Sequence, residues 1–125
     1  MRRAREDGGQ ASVELALVLP LVMILLLTVA QLGLLVRDQI LVVHAAREAA
    51  REAAVDPAAD APRRAAVAGS TLDDSRLKVT TSGRGGPGSR VRVEVAYHPS
   101  SAMPLVGAAV GNLTLRASTT MRVER

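Results

Sequence analysis

The feature that most constrains this chain is residues 15–36, an apolar run without a single charged side chain. As a helix rising about 1.5 Å per residue it reaches about 33 Å, which matches the roughly 30 Å hydrocarbon core of a bilayer. The run predicts one membrane-spanning helix, and whatever the rest of the chain folds into must hang from an end of it. Arg2, Arg3 and Arg5 precede the run. Arginines beside a span favour the cytoplasmic side, so the expected topology is single-pass, with a cytoplasmic N-terminus and an extracytoplasmic C-terminal domain.

A chain of 125 residues leaves space for one small domain beyond such a span. Tyr97 is the only aromatic residue, so the core of that domain must be made of Val, Leu and Ala, which bury less area each. Cysteine is absent, and nothing follows about the redox compartment, since a secreted domain is permitted disulfides but does not require them. The formal net charge is +4, and of the 16 basic residues only Lys78 is a lysine. A surplus of this size describes a mixed solvated surface and weakly favours acidic partners such as anionic lipid or wall polymer.

Four regions follow along the chain: a basic cytoplasmic leader at 1–9, the membrane helix at 10–36, its amphipathic continuation outside at 37–55, and an extracytoplasmic domain at 56–125. From Val13 to Val55 only Pro20 disturbs a helix. Having no N–H, Pro20 loses the bond back to Ala16, which predicts a bend or a loosened turn there. The outer half repeats Ala-Ala-Arg-Glu at 45–48 and 49–52, placing paired alanines on one face and charges on another. Asp56-Pro57 ends this helix, because the residue before proline is pushed out of the α region. A short helix is expected over 62–68, with Asp60 as its cap and Gly69 as its stop. Beyond it the period changes to two. Leu77, Val79 and Thr81 form one alternating set, and Val91, Val93, Val95 and Tyr97 a second, joined by a Gly-rich loop into a hairpin. A third strand is expected over 113–123. The fold class predicted is α+β: a long N-terminal transmembrane helix continuing into an outer amphipathic helix packed on a small antiparallel sheet. The apolar segment 101–111 is too short to span a bilayer and reads as a loop packed on the sheet, with a patch resting on membrane or partner as the alternative.

The chemistry lies just before the span, where Gly9-Gln10-Ala11-Ser12-Val13-Glu14 puts a carboxylate five positions after a glycine. A carboxylate at the edge of a hydrocarbon slab is costly unless it is paired. The pattern Gly-x-x-x-x-Glu alone is weak, the alternative being an interfacial carboxylate that snorkels to headgroups. Its placement between a basic leader and an uncharged span is what resembles type IV pilin-like precursors. The longer stretch 11–20, followed by the apolar helix and the repeat at 45–51, resembles the TadE-like proteins of the tight adherence (Flp-type, type IVc) pilus system. The resemblance covers residues 8 to about 55, and the remainder agrees only in plan. It implies a minor pseudopilin or assembly component with a structural role, cut between Gly9 and Gln10 by a prepilin peptidase. Glu14 would then be the assembly carboxylate that pairs with a neighbouring subunit's new amine. The partners implied are the membrane, that peptidase and other pilin or pseudopilin subunits. Major pilins of this system often have an aromatic after the glutamate; Leu15 stands here, which fits the minor-subunit branch.

A rival reading is a binding domain unrelated to pili, either anchored or released by a cut after Ala30, where Thr28-Val29-Ala30 is a small-x-small site. Thr28 and Gln31, three residues apart, are candidates for the side of the span that meets another helix. Signs of catalysis are few. Neither His44 nor His98 has a Cys, His or Asp at metal spacing, so no enzyme, metal or cofactor is expected, and Asp73-Asp74 reads as a turn. Arg76, Lys78, Arg90 and Arg92 make a basic stripe on the hairpin, but no aromatic residues interleave to stack bases, and nucleic acid is not an expected partner.

Overall fold

The computed structural model describes residues 3–100, 108 and 112–124. Its dominant element is α1, an unbroken helix over Arg3–Val55. It begins earlier than the sequence reading has it, at Arg3 rather than near Val13. Gly8 and Gly9 each weaken a helix by only about 1 kcal/mol relative to Ala, which is less than a stop signal. The helix continues through Pro20. Its end is as expected: the Asp56 amide closes the last turn on the Glu52 carbonyl at 2.8 Å, and the Asp56 carboxylate then accepts from the Ala58 amide at 2.8 Å, turning the chain away.

Along α1 the environment changes once. Residues 9–26 are exposed throughout, whereas in the outer half Val42, Ala45, Ala46, Ala49, Ala50, Ala53 and Ala54 are buried. Their spacing of three and one is that of a single helix face, and the paired alanines of the repeat make most of it. Because alanine ends at Cβ, the sheet can approach the helix closely along this face. The valines Val91, Val93 and Val95 fill the facing layer, each fully buried.

The sheet has three antiparallel strands, β1 (Leu77–Ser82), β2 (Arg90–Tyr97) and β3 (Leu115–Arg122), in the order β1-β2-β3. The expected hairpin is β1-β2, with Leu77 opposite Tyr97 and Ser82 opposite Arg92. Parity is as the sequence requires: Val91, Val93, Val95 and Tyr97 point inward and are buried, while Arg90 and Arg92 point outward. β3 starts at Leu115, two residues later than expected, and its inward set of Leu115, Ala117, Thr119 and Met121 is half-buried. Gly83 and Gly88, with φ of 77° and 87°, supply the left-handed conformations of the β1-β2 loop.

The short helix α2 (Ala61–Ala68) packs beside α1, so both helices cover one face of the sheet and leave the other open. Two expectations about its ends change. Asp60 sits at the N-cap position but its side chain accepts no capping hydrogen bond; it pairs with Arg64 one turn on. Gly69 follows the helix at φ −84°, a conformation open to any residue. Its lack of a side chain serves close approach, since a Cβ there would lie 3.1 Å from both Glu48 Cγ and the Ala65 carbonyl oxygen. Asp73 and Asp74 belong to a turn, as expected: Asp73 caps the single 3-10 turn Asp74–Arg76. The apolar segment 101–111 lies outside the described residues, apart from Ala108, which is exposed.

Two contacts fix the direction of the domain on the helix. Gln39 Nε2 donates to the Arg116 carbonyl at 3.2 Å, and the Glu124 amide donates to the Ala54 carbonyl at 3.0 Å. The helix from 39 to 54 covers about 22 Å and the strand from 116 to 124 about 26 Å, so β3 runs alongside α1 in the same direction. The ends of β1 and β2 joined by the Gly-rich loop therefore lie at the far end of α1, where Arg84 donates to the Asp56 carbonyl. The other end of the sheet, at Leu77, Tyr97 and Leu115, faces the apolar span.

Candidate functional site

Gly9, Gln10 and Glu14 all lie on α1, exposed, just ahead of the apolar run. Gln10 and Glu14 are four residues apart on one helix, which puts the carboxylate one turn, about 6 Å of axial rise, above the Gln10 backbone. Glu14 has no ion-pair partner among the described residues. A Cβ built on Gly9 meets nothing within 4 Å, so the packing of this chain does not require a glycine there. The Gly9–Gln10 bond is helical and must unwind locally before a protease can take it as an extended substrate. Adjacent Gly8 and Gly9 make this the weakest helical stretch of α1 outside Pro20.

The helix that carries these residues is long and apolar enough to cross a membrane, and its most apolar window is bare in the isolated chain. Bare Leu, Val and Ile over this length is costly in water and natural in lipid. Thr28, one of the two polar positions singled out in the span, uses its hydroxyl on its own helix, donating to the Ile24 carbonyl at 2.8 Å. Gln31, the other, is only 3 % exposed, and its Oε1 finds no hydrogen-bond partner among the described residues. Its side of the helix is therefore covered within the chain rather than free for another helix.

The remaining polar candidates are scattered. His44 is exposed on α1, and His98 Nδ1 lies 3.1 Å from Thr114 Oγ1. No group of three or more His, Cys, Asp or Glu able to hold a metal occurs among the described residues. Asp73 has its pKa lowered below the usual carboxylate value, chiefly because the Ser75 hydroxyl and amide donate to Oδ1 at 2.6 and 3.0 Å. Sequence reasoning missed three positioning residues: Gln39, Arg84, and Arg63, which bonds the Leu77 carbonyl and pairs with Asp74. Each acts on a backbone carbonyl far along the chain, and no local pattern marks such a contact.

Residues 9–51 match the family model described as TadE-like protein. No curated protein and no solved structure matches the chain. The matched segment opens at Gly9 and closes at Arg51 within the alanine repeat, so it takes in the glycine, the carboxylate, the apolar span and most of the face that docks the sheet. Over residues 9–51, about a third of the chain, the sequence is similar to TadE-like proteins, and the helix that carries the match is long and apolar enough to cross a membrane.

Proposed function

We propose that the chain is a minor pseudopilin of a tight adherence pilus system, cut after Gly9 by a prepilin peptidase and acting structurally during assembly. The observation that carries this reading is the order of parts on α1: a glycine, a carboxylate that is the fifth residue beyond the cut, a bare apolar span, then an alanine face that holds a small domain. One helix thus joins a membrane-edge signal to an outer domain, with no jointed linker between them.

In this reading the arginines of the leader hold the N-terminus in the cytoplasm. Cleavage creates an α-amine on Gln10 at the edge of the hydrocarbon, and Glu14 of one subunit receives the amine of the next. Pairing Gln10 with a neighbour's Glu14 shifts adjacent helices by four residues, about 6 Å. At about 4 Å and an effective dielectric near 20, such a pair attracts by about 4 kcal/mol before desolvation is subtracted, which suffices to set register. The missing backbone bond at Pro20 gives the span a point at which to yield when a subunit leaves the bilayer.

The rival, a domain released by a cut after Ala30, is compatible with the packing, because the buried alanine face begins well beyond Gln31. Processing and assembly distinguish the two. Glu14→Gln should still insert and still be cut, since neither step uses a charge at that edge, while pilus output falls. Cleaved protein, membrane level and pilus output are to be measured in one strain. Normal output at normal protein levels would contradict the proposed pairing.

A further inference from the structure

The two helices cover one face of the sheet; the other is uncovered and basic. Its cations are Lys78, Arg90, Arg92, Arg116 and Arg122, all exposed, against a single acid, Glu94. Glu94 lies 3.9 Å from Arg116 and so is committed to the end of the sheet nearer the span. At the far end Arg90 and Arg122 stand directly opposite each other in the β2-β3 ladder. Like charges at such a position are destabilising, and neither arginine forms an ion pair among the described residues. Arg122 Nε donates to the Gly88 carbonyl at 3.2 Å, and Arg92 donates to Ser118 Oγ at 3.1 Å. Beside the arginine pair is an open cavity of about 380 Å³, lined by Gly88, Arg90, Thr120, Met121 and Arg122. This is many times the roughly 30 Å³ share of a water molecule.

We propose that this face docks a flexible phosphate polymer outside the membrane, with Arg90, Arg92 and Arg122 gripping successive phosphates. Guanidinium forks match phosphate oxygens two at a time, and the flanking Ser118 and Thr120 hydroxyls add neutral donors. Along β2, Arg90 and Arg92 are two residues apart, about 6.6 Å, and Arg122 is one strand over, so an extended chain can meet all three at once. A protein partner is disfavoured because the face has no large apolar side chain to form an interface core. Nucleic acid is disfavoured because no aromatic side chain is present there to stack a base. Lipid is disfavoured by direction, since β3 runs alongside α1 and the sheet stands along the helix axis, with the arginine pair at the end remote from the span. That last step, and the placement of the polymer outside the membrane, rest on the membrane-anchored reading.

The test uses the full chain in detergent micelles, with long-chain inorganic polyphosphate as probe. Binding should be saturable at 0.15 M salt and weaken as salt rises. The triple variant Arg90→Gln, Arg92→Gln, Arg122→Gln should lose at least tenfold in affinity. The triple variant Arg47→Gln, Arg51→Gln, Arg64→Gln, which removes the same charge elsewhere, should bind within twofold of the parent. Circular dichroism establishes that both variants are folded. Equal losses in the two variants, or no saturable binding by the parent, would overturn the proposal. So would tenfold tighter binding of an oligonucleotide, or binding of anionic phospholipid vesicles that is abolished by the first variant alone. None of these results bears on cleavage after Gly9, which is read separately from the N-terminus of the chain.

Discussion

Ala49 and Ala50 sit in the middle of the helix–sheet contact with no exposed surface, and their size sets how near the sheet lies. Extra carbons there have nowhere to go, because packed interiors do not yield smoothly. Ala49→Leu should therefore destabilise the outer domain by about 1–3 kcal/mol in denaturant unfolding, whereas Arg47→Gln, exposed on the same helix, should change it by less than about 0.5 kcal/mol. Asp73 offers a second residue-level check. Its pKa is lowered mainly by the Ser75 hydroxyl, then by the Ser75 amide. A carboxylate with a depressed folded-state pKa stabilises the fold above its unfolded pKa, and this is lost as pH falls through the folded value. In Ser75→Ala the Asp73 titration followed by NMR should move up toward the ordinary carboxylate value, and an unchanged midpoint would assign the shift elsewhere. The small residues of the repeat at 45–52 and the turn at 73–74 are legible in the sequence because their roles are local. Gln39 and Arg84 are not, since what they bond depends on a fold brought together over long chain separations.

Among the elements, the sheet makes the sharpest statement. Alternation in β2 puts Val93 fully inside and Arg92 outside. Val93→Lys buries an unpaired charge and should cost the outer domain a few kcal/mol or unfold it, while Arg92→Ser should alter stability by less than about 0.5 kcal/mol. Similar effects for the two would mean the register is shifted by one residue. This parity can be read from the sequence alone, because a period of two leaves no other inward set. Element ends are less legible. Asp60 has the residue type of a cap yet pairs with Arg64, and Gly69 has the residue type of a left-handed stop yet serves a close approach to Glu48. In both cases a side-chain preference yields to a neighbour that only the folded chain supplies. The start of α1 is a related case: glycines at 8 and 9 weaken a helix without ending it.

For the whole molecule, α1 is both the apolar segment and the spine of the domain, so a displacement of its inner end is passed to the sheet through the bond of Gln39 to Arg116 on β3 and that of Ala54 to Glu124 just beyond it. Under the proposed function, that continuity would let Glu14 govern the placement of the whole outer domain in an assembly. The long span, the amphipathic outer half and the α+β plan are all legible in the sequence, since each rests on composition and period. The direction of the sheet along the helix is not. The account depends most on the chain being cut after Gly9. A Cβ at Gly9 meets no neighbour, so Gly9→Leu should leave the fold intact and leave the full-length chain in the membrane. The most direct test is the N-terminal sequence of the protein extracted from membranes of piliated cells. The account predicts a chain that begins at Gln10; one that begins at Met1 or at Gln31 would contradict it.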